Sequence, residues 1–408
     1  MTVTLIGSTA LFALNPFIAV HLPEYAPGAG PIGVTLASSA MVGGVAALLL
    51  SAIGGGTHNG RALIARWSIA GLAAGATTLA FLPSVPPGLR PFTVMVGMVL
   101  LRGCQNLYSN ASRSLHLLTN GPNIDAGVLF ATVGTFFGIG SAMGPVLGGI
   151  LLAVGGLGTV LATAATMFLV CLIPLLWGIR RFVGSSIDTS PVVAVVPGLV
   201  QRLRPSSGRA ARICLGMGAA YILDAQSIAY IPLTIEHHYP LGDRLTVAFF
   251  TTNAVLLVVG SVPVMRAMQQ KIPQVEWQVG IGVTALLTSL VLLRCAASAL
   301  AALLASAVLY TLGEIVVMAI GMVLIRAEME RDETAMARNV AFLNFTTTTL
   351  GTGAGQYVGT AVAALRSPLW HAVVWTVVAV VSVAVLWQPR ASVMTAERTD
   401  FRGMKGAR

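Results

Sequence analysis

Runs of apolar residues recur from the first position of this chain almost to its last, separated by short polar connections. Each is roughly 20 residues long, which wound as an α-helix matches a hydrocarbon core about 30 Å thick. The composition points the same way. Of 408 residues, 56% are hydrophobic and 9% are charged, whereas an ordinary soluble domain carries about 25% charged residues. So few charges cannot clothe a water-soluble surface. Lipid offers no hydrogen bonds, so a spanning segment must satisfy its backbone internally, which selects helices for runs of this length. The expected fold class is an all-α integral membrane protein.

The apolar runs predict twelve transmembrane spans, at 4–23, 33–55, 62–83, 91–112, 127–152, 158–180, 212–234, 246–266, 276–296, 299–325, 338–364 and 369–388. An even number places both termini on one side. Of the 24 Lys and Arg residues, nineteen fall on the side of the termini. Arg90, Arg244, Arg294 and Arg366 fall on the other side, and Arg102 lies inside a span. Positive charge marks the cytoplasmic side of short loops, so both termini are expected in the cytoplasm, in the cell inner (plasma) membrane. The net charge of +10 is thereby assigned to topology, and no nucleic-acid partner is expected. The N-terminus has neither a basic leader region nor a small-residue cleavage site, so its first run reads as a retained helix.

The connection 183–209 stands apart, with Pro191, Pro197, Pro205, several serines and an Arg-rich end. It divides the chain into a six-helix bundle at 1–182 and another at 210–389, followed by a basic tail at 390–408. The tail is suited to topology or to anionic lipid headgroups. Cys104, Cys171, Cys214 and Cys295 are scattered singly, without metal-ligand spacing, and His237-His238 lacks further ligands. No metal and no cofactor are expected. A phosphate-binding GxxxxGK[ST] loop is also missing, so ATP is not the expected energy source of this chain, and the chain does not read as an enzyme.

The sharpest motif lies in the fifth span, where Gly140, Gly144, Pro145, Gly148 and Gly149 stand in the order G-x-x-x-G-P-x-x-G-G. Small residues at this spacing let a neighbouring helix approach closely, and Pro145 removes a backbone donor, so the segment predicts a tight, kinked seam. Here the chain resembles the drug/proton antiporters of the major facilitator superfamily. The match is complete except at the motif's distant first glycine, where Ala131 stands. Generic small-residue packing is the alternative reading of the same segment. The fourth span carries Arg102-Gly-Cys-Gln105, which is similar to the R-x-x-Q-G motif of those antiporters, with Asn106 in place of the last glycine. The resemblance implies a proton-coupling role for Arg102. A structural donor to carbonyls or to a polar neighbour is the competing reading. After the second span, Gly54 to Arg61 resembles a degraded superfamily loop signature. Gly60 and Arg61 match its end, Thr57 stands at its acidic position and His58 at its first basic position.

Two carboxyl groups lie deep in later spans, Asp224 in the seventh and Glu314 in the tenth. An ionised acid is expensive in a membrane, so such a residue marks a functional site by default and is a natural place to bind and release a proton. With Arg102 they form the expected proton-coupling set, and some of the antiporters that the chain resembles carry acids in the same two helices; the competing reading is structural, each acid held neutral by a hydroxyl or amide neighbour, or Asp224 paired with an arginine. The expected lining of the substrate cavity is Gln105, Gln226, Tyr230, Tyr310, Asn344 and Gln356, although polar residues also glue helices together. Asn15-Pro16 is expected to break the first span. His21, Glu24, Glu236, His237 and His238 gather near the surface opposite the termini, at a gate or simply in water.

The resemblance implies a major facilitator fold, 6+6 helices rocking about a central site, and export of small hydrophobic or cationic compounds against protons. Its partners are then a small-molecule substrate, protons and membrane lipids, with the chain a monomer as is usual in that superfamily. A dedicated exporter or symporter of one metabolite (siderophore, antibiotic, sugar or peptide) and a non-transporting sensing or lipid-handling protein are the competing readings.

Overall fold

A computed structural model describes residues 2–27, 31–54, 58–119, 126–182, 204–272, 274–295, 300–327 and 333–387. Thr57, most of the 183–209 connection and the 390–408 tail lie outside the described residues. The described residues are almost wholly helical: α1 (Thr2–Tyr25), α2 (Ile32–Gly54), α3 (His58–Ala80), α4 (Arg90–Thr119), α5 (Ala126–Phe182), α6 (Gly208–Asp224), α7 (Tyr230–His238), α8 (Gly242–Lys271), α9 (Val275–Cys295), α10 (Leu300–Ala327), α11 (Glu333–Thr346), α12 (Gly355–Ala363) and α13 (Pro368–Leu386). Among the described residues eight helices are long and apolar enough to cross a membrane, and the twelve expected intervals are mostly helical where they are described, with turns inside the seventh and at the ends of some others.

Three local features depart from, or refine, uniform rods. The stretch Phe136–Leu176 within α5 is 41 residues of apolar helix, about 60 Å at 1.5 Å per residue, twice a hydrocarbon core. It turns at Gly155 (φ −150°, ψ 17°) and Gly156 (φ 69°, ψ −171°). The positive φ of Gly156 is strained for any residue with a Cβ, so the fifth and sixth spans part where glycine permits it. The seventh span is interrupted: α6 stops at Asp224, a 3-10 turn covers Ala225–Ser227, and α7 begins at Tyr230. In the eleventh span a π-helix, Thr347–Ala354, joins α11 to α12.

The first span is not broken at Asn15-Pro16, because α1 runs unbroken through Pro16 and Pro23. Transmembrane helices tolerate proline where neighbouring side chains and helices meet the freed backbone groups. Likewise, His58 to Arg61 are not loop residues: they form the first turn of α3.

Two hydrophobic cores organise the chain. One gathers Leu14, Phe17, Leu36, Ile69, Leu101, Leu161 and Phe168, and includes Ala229 from the later part of the sequence. The other is drawn from residues 213–386, around Phe249, Leu286, Tyr310 and Trp375. The cores meet along two seams. In one, α5 lies on α8: a Cβ on Gly149 would fall 2.5 Å from Val247 Cγ2. In the other, α2 lies on the π-helical span, where a Cβ on Gly353 would fall 2.9 Å from Met41 Cγ. Large apolar side chains such as Trp67, Phe92 and Val259 are exposed on the outside, as a lipid-facing surface requires.

Candidate functional site

The interruption of the seventh span creates the acidic centre. Ending α6 at Asp224 leaves terminal carbonyls without intrahelical donors. Tyr310 of α10 supplies one, donating its hydroxyl to the Asp224 carbonyl, and Ser227 Oγ donates to the same oxygen at 3.3 Å. Tyr310 and Glu314 are four residues apart on α10, so they share a helix face, and Tyr310 thereby brings Glu314 toward the broken end of α6. Asp224 and Glu314 lie near enough to interact, and both lie near Tyr310. Asp224 Oδ1 is enclosed and has no protein partner. Glu314 Oε2 accepts from Asn253 Nδ2 at 2.9 Å, and the same amide donates to Thr311 Oγ1 at 3.2 Å. Three helices, α6, α8 and α10, thus converge on two carboxyl groups.

A basic centre lies in the first core. Arg102 of α4 is 4% exposed; its Nη1 donates to Asn15 Oδ1 on α1 at 3.1 Å and, at 3.4 Å, to Gln105 Oε1 one turn along α4. Its Nε and Nη2 are enclosed without a protein acceptor. Asn15 therefore matters as the anchor of this guanidinium. A buried charge left with unanswered donors is costly, so the N–H groups of these two nitrogens are open to water or to a ligand's acceptor.

The remaining expected residues are spread more widely. Gln226 is fully buried beside α12, its Nε2 donating to the Ile222 carbonyl and to the Gly355 carbonyl at 3.0 Å, while its Oε1 is unanswered. Gln356 is fully buried with neither amide atom partnered. Tyr230 is enclosed in the second core, its hydroxyl 2.9 Å from His371 Nδ1 and its ring against Trp375. Asn344 is half-buried on α11, its carbonyl accepting from Thr347 Oγ1. Gly60 and Arg61 belong to the start of α3. The fifth-span glycines line a seam on α1. A Cβ would fall 2.7 Å from the Leu5 carbonyl at Gly140, 2.6 Å from Phe12 Cβ at Gly144, and 2.8 Å from Phe17 Cε2 at Gly148. Gly149 turns to α8 instead.

Sequence reading passed over Asn253 and Thr311, the amide and hydroxyl beside Glu314. A polar amide inside the eighth apolar run was the available signal. It also passed over His371, whose Nε2 lies 2.9 Å from the Leu365 carbonyl while Nδ1 faces Tyr230, a bridge that fastens α13 to α7.

No protein-family model matches this sequence, and no curated protein does. Solved structures do match over nearly the whole chain. An auto-inhibited POT family peptide transporter aligns with a TM-score of 0.69 at 12% identity, covering 96% of this chain and 97% of that one. A POT family transporter in complex with a thioalcohol-conjugated peptide aligns at 0.67 and 13%, covering 94% and 93%. The nucleoside transporter NupG aligns at 0.65 and 13%, covering 95% and 98%. At such identities the likeness speaks to architecture, and what it establishes, together with the apolar helices, is that this multi-pass membrane chain has the major facilitator fold.

Proposed function

We propose that this chain is a proton-coupled secondary transporter that exports small hydrophobic or cationic compounds by alternating access. The observation that carries the reading is the meeting of Asp224 and Glu314 around Tyr310, where an interrupted span faces a neighbouring helix. Two nearby carboxyl groups in a low-dielectric setting are hard to ionise together, so a proton on the pair and a cationic cargo beside it are alternatives. If each favours a different arrangement of the two cores, the proton gradient drives cargo the other way. Arg102, with donors unanswered by protein, completes the coupling set on the first core. Gln105, Gln226, Tyr310, Asn344 and Gln356 contribute polar lining, with Tyr230 behind them. Residues 1–182 and 210–389 form the two rocking bundles, with 183–209 as linker, in a plasma-membrane monomer whose termini face the cytoplasm.

Export rather than import is supported by the fifth-span resemblance. A second reading, transport of one metabolite such as a peptide, is favoured by the named cargo of the structural neighbours, which include a POT transporter bound to a peptide conjugate and another bound to 5-aminolevulinic acid.

A susceptibility panel in an efflux-deficient host separates the two. Expression of the intact chain is expected to lower susceptibility to at least one cationic or hydrophobic compound, and Glu314→Gln to abolish the protection. No protection anywhere in the panel contradicts multidrug export and favours the metabolite reading.

A further inference from the structure

One polar contact ties the two cores together at the end of the bundle opposite the N-terminus, and nothing in the coupling scheme uses it. His21, in the last turn of α1, faces Asp243, in the first turn of α8, 222 positions further along the chain, with Nε2 2.8 Å from Oδ1. The surroundings are acidic. Glu24 of α1 lies 3.9 Å from His21 Nδ1. The charges acting on His21 are those of Asp243, Glu24 and Glu236, the last from α7, which also brings His237 near Glu236. Burial, with Asp243 adding to it, holds Glu236 above the usual carboxylate range. Close backbone packing flanks the pair: Gly149 against Val247 on α8, and Gly158 2.9 Å from the Tyr25 hydroxyl as measured from a Cβ built on it.

We infer that His21 and Asp243 form a proton-sensitive latch that holds the two cores closed at this end. A charge-assisted pair needs His21 protonated and Asp243 ionised together. Mild acid supplies the imidazolium. Raising the pH discharges it and leaves an ordinary hydrogen bond, so the latch loosens. At 18% and 45% side-chain exposure, both groups are within reach of water at the mouth. In the proposed topology this end faces outward, so external acid closes the mouth behind departed cargo and commits a proton-loaded carrier to turn inward. That last step rests on the proposed function; the latch itself does not.

The test is hydrogen–deuterium exchange on the full chain in nanodiscs, without substrate, following amides of α1 around His21 and of α8 around Asp243. At about pH 6, His21→Gln and Asp243→Asn are each expected to speed exchange at both helix ends about threefold, the scale of a partly exposed ion pair. The exchanged pair, His21→Asp with Asp243→His, is expected to restore protection. Wild-type protein at about pH 9, corrected for intrinsic exchange, is expected to behave like the variants. Variants as protected as wild type at pH 6, or wild-type protection unchanged between the two pH values, overturn the latch. Should His21→Gln misfold, Asp243→Asn decides alone. Because no cargo or gradient is present, failure here leaves the Glu314 coupling scheme standing, and the converse holds.

Discussion

Asn253 touches no expected ligand yet decides how Glu314 presents its carboxyl group. It offers one amide to Glu314 and Thr311 together, so the carboxyl has a fixed orientation. Asn253→Ala removes a hydrogen bond to a charged group, about 1.5–3 kcal/mol. Transport driven by a proton gradient is expected to fall by about an order of magnitude, with the amount of folded protein in the membrane unchanged. A variant that transports at the wild-type rate contradicts the assignment. The two acids and the arginine were legible in the sequence, because charge is rare in hydrocarbon and its presence asks for a reason. Their partners were legible only in part: Gln105 and Tyr310 were expected near the site, whereas Asn253 and Asn15 are ordinary polar residues whose weight comes from what they face across the fold, and no spacing along one helix reports that.

At the scale of elements, the fifth-span glycines show how much a motif can convey. Their pattern predicted a close helix seam, and α1 lies against three of them, with α8 against the fourth. Gly144→Leu would drive its side chain into Phe12, and overpacking of this kind costs about 1–3 kcal/mol. A lower midpoint of thermal unfolding in detergent is expected; an unchanged midpoint contradicts the seam. The helical interruptions were less legible. The split at Gly155 and Gly156 was readable from the length of the apolar run and its paired glycines. The 3-10 turn after Asp224 and the π-helix at Thr347–Ala354 were not, since each falls in a run with sound helical composition and arises from packing against a neighbour. Asn15-Pro16 erred in the opposite direction: proline bends the reading of a soluble helix, but in a bundle the helix carried through.

For the whole molecule, apolar periodicity sufficed for an all-helical membrane fold, and the cores, seams and exposed apolar surface follow from it. The pairing of α2 with the eleventh span and of α5 with α8 gives each core two contacts where glycines meet the neighbouring helix closely. That arrangement suits rocking, because smooth small-residue surfaces separate at little cost, and His21–Asp243 supplies a fastening at one end. Cargo was the least legible property. Enclosed polar groups without a protein partner, such as those of Arg102 and Gln356, are products of the fold and are not written in a local pattern.

Coupling through Asp224 and Glu314 is tested most directly in proteoliposomes of purified chain with an acidic lumen and a lipophilic cationic dye outside. The dye is expected to accumulate inside, to leave when a protonophore collapses the gradient, and not to accumulate with Glu314→Gln. Accumulation by the Glu314→Gln, Asp224→Asn double variant that equals wild type, with the same protonophore sensitivity, would contradict the account.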